Sequence, residues 1–201
     1  MEPTQLGFEQ SRTLLDAYDI PVLGRMVRTR EQAIMAAEEL GFPVAMKTVS
    51  SKIIHKSDMG CVLLNLEDRS AVEAGYETLM GNARAAGVDE LDGILVQPMV
   101  KPGQEVLVGA TQDPGFGPMT MIGSGGRFVE LLADVAPGIG ILEESDVRAM
   151  LDRTRVGRIL DGFRGPALDK EAVVRLAANV SRFMAEHPEI HELDLNPVIV
   201  Y

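Results

Sequence analysis

The chain has 201 residues, 46% of them apolar, and sets 19 Lys and Arg against 30 Asp and Glu for a formal net charge of −11. That length suits one domain or two small lobes, and the apolar share is too large for a disordered chain. The acidic balance argues against nucleic acid and anionic membrane surfaces as partners, because both select a basic face. No apolar run reaches the roughly 20 residues of a membrane span. The start, MEPTQLGFEQSR, lacks a basic and then apolar leader, so a cytoplasmic protein is expected. Cys61 is the single cysteine, which excludes an intrachain disulfide, and with three His a zinc site is not expected.

In chain order, Leu14, Leu15 and Tyr18 fall at helical spacing and predict a helix over Phe8–Tyr18, stopped by Ile20-Pro21. Arg30–Leu40 reads as a second helix closed by Gly41 and Pro43. Val44–Val49 and Cys61–Leu66 read as strands either side of a polar loop, Ser50–Gly60, and Ser70–Ala86 as a helix ending at Gly87. Gly93–Val100 and Glu105–Thr111 flank Pro102-Gly103 and predict an antiparallel hairpin. Pro118–Ile122 and Phe128–Leu132 read as strands around a glycine cluster. Ser145–Leu160 and Lys170–His187 read as helices, and Glu192–Tyr201 as a closing strand. This mixture is neither a strict βαβ repeat nor a bundle, so an α+β or mixed α/β chain with two lobes is expected.

Four segments hold residues suited to chemistry. In GFPVAMK, strand alternation places Ala45, Lys47 and Val49 on one face. Lys47 there is either a half-buried cation that needs an anion, or an edge-strand lysine that guards against edge-to-edge pairing. The loop that follows carries His55, Lys56, Ser57 and Gly60; backbone N–H groups of such a loop can cradle phosphates, and a histidine can accept a phosphoryl group, or be an ordinary solvated residue. In ILVQPMV, Pro98 ends the ladder and leaves backbone of Gln97–Val100 to meet a planar ring; Glu105, mid-strand beyond it, suits a ribose hydroxyl or is an exposed hairpin carboxylate. In HELDLNP, alternation puts Glu192, Asp194 and Asn196 on one strand face, a set that suits Mg²⁺ or a solvent-facing edge. Gly123, Gly125 and Gly126 read as a turn that allows close backbone approach, with Arg127 and Glu130 as candidate site residues, or as an ordinary turn with a surface pair. A strand is expected after it, which rules out the dinucleotide-binding fingerprint. His187 and His191 read as surface residues, and the methionines as core filler.

Together, LLDAYDIPV, GFPVAMK, HKSDMG, ILVQPMV, GQEVLVG, DPGFGPMTMIGSGGRFVE and PEIHELDLNP resemble, in order and over nearly the whole chain, the ATP-grasp domain of ADP-forming acyl-CoA synthetases such as acetate–CoA ligase (ADP-forming). The resemblance implies an ATP-grasp fold over 1–201: a small lobe of about 22–98, a large lobe of 1–21 plus 99–201, and a nucleotide site between them. It implies that Lys47 binds nucleotide phosphates, with Lys56, Ser57 and Gly60 in the phosphate-covering loop. Gln97, Met99 and Val100 then meet adenine, Glu105 is a nucleotide-side carboxylate, and Asp194 and Asn196 hold Mg²⁺. His55 takes the place of a phosphate relay. ATP or ADP and Mg²⁺ are the implied cofactors. The implied partner is a CoA-binding, phosphohistidine-bearing subunit or fused domain, in a hetero-oligomer or a longer chain. Cys61 stands where a second glycine is usual, and the Asp-Ala-Arg strand that family members carry further on is not in this sequence; Glu130 or Glu192 could stand in for its carboxylate. A regulatory ATP-grasp module of a protein acetyltransferase-type fusion is the alternative.

Overall fold

A computed structural model describes residues 6–49, 60–88, 91–126 and 129–201. Two compact units emerge, one centred on residues 22–101 and the other on 102–201 together with 13–21. Helix α1 (Phe8–Asp16) precedes both main bodies in the chain.

The unit around 22–101 contains β1 (Arg25–Val27), α2 (Arg30–Leu40), β2 (Val44–Val49), β3 (Val62–Leu66), α3 (Arg69–Ala85) and β4 (Gly93–Pro98). The strands form one antiparallel sheet in the order β1-β4-β2-β3. Helix α2 starts on a capping box: the Thr29 hydroxyl takes the Gln32 N–H, and the Gln32 side chain returns to the Thr29 backbone. It stops at Gly41, whose φ of +83° suits a residue without Cβ. Strand β2 alternates as expected, with Val44, Met46 and Thr48 buried and Ala45, Lys47 and Val49 half-buried. The buried face packs on Ala33, Ile34 and Ala37 of α2 and on Val72 and Leu79 of α3. A Cβ on Gly75 would stand 3.1 Å from Met46 Cε, so α3 lies directly on the sheet.

The other unit contains β5 (Gln104–Asp113), β6 (Gly117–Ser124), α4 (Val129–Leu132), β7 (Val135–Ile139), α5 (Glu144–Leu151), α6 (Arg155–Leu160), α7 (Lys170–Glu186) and β8 (Glu192–Val200). Its antiparallel sheet runs β7-β6-β5-β8. Asp113 Oδ1 accepts the N–H groups of Gly115 and Phe116 and so shapes the β5–β6 turn. Val106, Val108, Ala110, Ile122 and Ala136 are buried on the face covered by α5, α6 and α7. On the opposite face Leu107, Met119 and Met121 are only half-buried. Among the described residues no helix is long and apolar enough to cross a membrane.

Several sequence expectations give way here. Strands β4 and β5 are not a hairpin: β4 has β1 and β2 on its two sides and no free edge, while β5 lies in the other sheet between β6 and β8. Val129–Leu132 is a short helix rather than a strand, and the strand comes later, as β7. The G-x-G-G turn therefore does not run straight into a strand, although Phe128 stands where the dinucleotide fingerprint needs its third glycine. The helix expected over Ser145–Leu160 is two, because Thr154 starts α6 afresh by accepting the Gly157 N–H. The three residues of β1 are too short to leave a periodic signal.

Candidate functional site

Lys47 lies on an interior strand, opposite Leu95 of β4 and Val62 of β3. The edge-strand explanation therefore fails, and Lys47 is a cation on the half-buried face of a sheet. Gln97, opposite Ala45, shares that face. Its Nε2 donates to the Leu23 carbonyl at 2.8 Å, which ties the start of this unit to the end of β4. The Met99 N–H donates to the Pro43 carbonyl at 3.0 Å, so this backbone donor is already used within the unit; Val100 is exposed. Gly60 has a φ of +64°, and its carbonyl accepts from Asn82 Nδ2 of α3 at 2.7 Å. His55, Lys56 and Ser57 lie outside the described residues.

In the other unit β8 is an edge strand. Glu192, Asp194 and Asn196 are exposed along one face, with Leu193 and Leu195 half-buried on the other. Partial burial, then the nearby Glu192 charge, raises the Asp194 carboxyl above the usual carboxylate range. A carboxylate held that way gains from a cation. Among the described residues no three His, Cys, Asp or Glu side chains cluster as a complete metal cage. One carboxylate and one amide oxygen on an open face fit Mg²⁺, which keeps waters or phosphate oxygens for most of its positions.

Asn196 and Glu105 come together at the glycine turn. The Gly126 N–H donates to Asn196 Oδ1 at 2.8 Å, and the Gly125 N–H donates to the Glu105 carbonyl at 3.0 Å. A Cβ on Gly126, at a φ of +85°, would land on Glu105 Oε2, and one on Gly125 would stand 2.6 Å from the Val106 carbonyl carbon. The close backbone approach weighed for this turn is thus present, and two expected site residues meet there. Arg127 and the Glu130 side chain lie outside the described part.

Sequence reading missed Asp134. This carboxylate is 9% exposed and accepts three hydrogen bonds: Arg155 N–H at 2.7 Å, Val156 N–H at 3.0 Å and Ser124 Oγ at 2.6 Å. Burial pushes its pKa up, but the hydrogen bonds from the Arg155 N–H, the Ser124 hydroxyl and the Val156 N–H outweigh it and hold the group below its ordinary value. Its one signal in the sequence was an acid inside the largely apolar run VELLADVA. His187 also departs from expectation. It is half-buried, stacked against Phe183 at 4.8 Å, with Tyr18 Oη 3.2 Å from Nε2 and Glu189 Oε1 2.9 Å from Nδ1.

The profile of the ATP-grasp domain matches residues 2–201. The chain belongs to the ATP-grasp family. This ATP-grasp chain is 42% identical over 197 residues to the beta subunit of acetate–CoA ligase (ADP-forming) II of Pyrococcus furiosus, covering 96% of itself and 83% of that subunit. It is 40% identical to acetate–CoA ligase (ADP-forming) I of Archaeoglobus fulgidus, but there it spans only 28% of a much longer chain. Among solved structures it resembles an acetyl-coenzyme A synthetase of Ca. Korarchaeum cryptofilum in complex with coenzyme A and Mg-AMPPCP, its phosphohistidine segment pointing towards the nucleotide binding site. The TM-score is 0.85 at 37% identity, over 98% of this chain and 86% of that one. The mixed α and β architecture with two antiparallel sheets is the ATP-grasp fold. These relatives are ADP-forming acid–thiol ligases, and they lend no support to a regulatory acetyltransferase-type module.

Proposed function

We propose that the chain is the nucleotide-binding, phosphoryl-transferring part of an ADP-forming acyl-CoA synthetase, which interconverts acid, ATP and CoA with acyl-CoA, ADP and phosphate. The observation that carries this reading is the near full-length likeness to a synthetase that holds CoA and Mg-AMPPCP. Lys47, on an interior strand, supplies positive charge to phosphate oxygens in a chain that is otherwise strongly acidic. Lys56, Ser57 and the backbone up to Gly60 add donors to the same phosphates. Gln97, Met99 and Val100 border the base, with the Met99 carbonyl side left for it once its N–H is given to Pro43. Glu105 serves the ribose side. Asp194 and Asn196 hold Mg²⁺, which when bound neutralises phosphate charge. His55 is the phosphate relay to a phosphohistidine carried by a CoA-binding partner subunit or a fused domain. A cytoplasmic location belongs to the same proposal, since its nucleotide and CoA substrates are found there.

The test mixes the chain with its CoA-binding partner, Mg²⁺ and ATP labelled on the γ-phosphate. The expected result is acid-labile phosphate on His55, and in His55→Ala a loss of phosphoryl exchange with ADP binding retained. Unimpaired exchange in His55→Ala, with the partner present, would sink the relay role.

A further inference from the structure

The buried carboxylate of Asp134 reaches none of the residues assigned to nucleotide or metal, yet it is the hub of a short chain of hydrogen bonds that ends on one of them. One end of the chain is the start of α6, where Asp134 accepts the N–H groups of Arg155 and Val156. The other end is Ser124, clamped twice: its hydroxyl donates to Asp134 Oδ2 at 2.6 Å, and its backbone N–H donates to the Asp134 carbonyl at 3.0 Å. Close packing leaves this corner no slack, because a Cβ on the neighbouring Gly123 would fall on that same carbonyl. From Ser124 the chain turns through Gly125, held by the Glu105 carbonyl, to Gly126, whose N–H meets Asn196 Oδ1 at 2.8 Å.

The last contact has a chemical meaning. A side-chain amide can present either its oxygen or its NH₂ group, and a backbone N–H selects the oxygen. That oxygen has two lone pairs, so accepting from Gly126 leaves one for a cation. If the turn moves, the amide loses the Gly126 N–H that selects its oxygen, and its NH₂ face would repel a cation.

We infer that Asp134 is a positioning residue: by tying Ser124 to the start of α6 it fixes the Ser124–Gly126 turn, and through Gly126 it sets the Asn196 amide for metal. The inference rests on the metal role proposed for Asp194 and Asn196. It makes a specific demand. Loosening the turn should weaken the response to Mg²⁺ and leave metal-free nucleotide binding alone.

The experiment measures ADP binding to the full chain by calorimetry across a Mg²⁺ series, with thermal unfolding alongside, for Ser124→Ala, Asp134→Asn, Thr154→Ala and Asn196→Ala. Ser124→Ala removes the side-chain half of the clamp on the turn, keeps its backbone half, and leaves the α6 cap in place, so it carries the test even if Asp134→Asn fails to fold. Thr154→Ala removes the other α6 cap, the hydroxyl that takes the Gly157 N–H at 3.0 Å, and leaves the turn untouched. Ser124→Ala should raise the Mg²⁺ midpoint by about threefold to tenfold, the worth of one hydrogen bond, with ADP affinity in the absence of Mg²⁺ unchanged. Thr154→Ala should lower the melting temperature and leave the Mg²⁺ midpoint where it was. A wild-type midpoint in Ser124→Ala, or an equal shift in Thr154→Ala, overturns the inference. If Asn196→Ala shifts the midpoint and Ser124→Ala does not, the positioning role alone falls; if Asn196→Ala also leaves it unmoved, the metal assignment falls and takes the positioning role with it.

Discussion

Asp194 shows how a single side chain in the structure can be at odds with its own charge. Burial, and then Glu192, makes ionisation harder in the folded chain than in the unfolded one. An acid whose folded pKa is raised holds its proton more tightly when folded. Without metal it therefore costs no stability below both pKa values, and subtracts from stability as pH climbs through the unfolded and then the folded value. Metal-free Asp194→Asn should thus melt above wild type at pH 7, and the difference should vanish by about pH 3, below the ordinary aspartate pKa of about 3.9. Equal melting temperatures at pH 7 would show that the folded site carries no such penalty. The residue-scale pattern of Glu192, Asp194 and Asn196 was legible because a strand's period of two is short and robust. The meeting of Asn196 with Gly126 was not, since it joins positions far apart in the chain through a backbone donor that leaves no mark on residue type.

Elements were legible where local chemistry alone sets them. Thr29 and Gln32 start α2, Gly41 ends it, and its bounds follow from these residues. The alternation in β2 follows from its side chains in the same way. Two of the failures needed tertiary knowledge. The hairpin expected across Pro102-Gly103 was reasonable locally, but both sides of β4 are taken. The break between α5 and α6 is capped locally by Thr154 and also by Asp134, which the linear sequence places beyond an entire strand and helix. Met46 tests how firmly the smaller sheet and its helices lock. It is fully buried, between the sheet and Gly75 of α3. Met46→Ala should cost about 2–5 kcal/mol, as truncation of a buried side chain leaves a cavity that neighbours fill only in part. Urea unfolding followed by circular dichroism measures it, and a cost under about 1 kcal/mol, nearer a surface substitution, would mean that α3 settles into the gap.

For the whole molecule, a net charge of −11 is compatible with phosphate chemistry of one kind only. It excludes extended polyanions but not one nucleotide met by a lysine, a few backbone donors and a divalent cation. A ligand that binds only the folded chain stabilises it by mass action, by about 2.7 kcal/mol at one hundred times its dissociation constant. Thermal unfolding in rising ADP with Mg²⁺ should therefore move the wild-type midpoint upward, and Lys47→Ala should need more ADP for the same rise. Overlapping curves for the two proteins would remove Lys47 from the phosphate site.

Cys61, next to Gly60 just before β3, has a practical consequence in the structure. Its side chain is fully buried beside Val88 and Leu91, and its carbonyl receives the Thr48 N–H at 3.0 Å, pinning β2 to the start of β3. Since it is the chain's single sulfhydryl, two copies cannot be cross-linked by oxidation until this corner comes apart. A chromogenic thiol reagent consequently reads how often the corner beside the Lys47 strand opens, by local or by global unfolding. The chain thus carries its own clock for that opening, with no label to introduce.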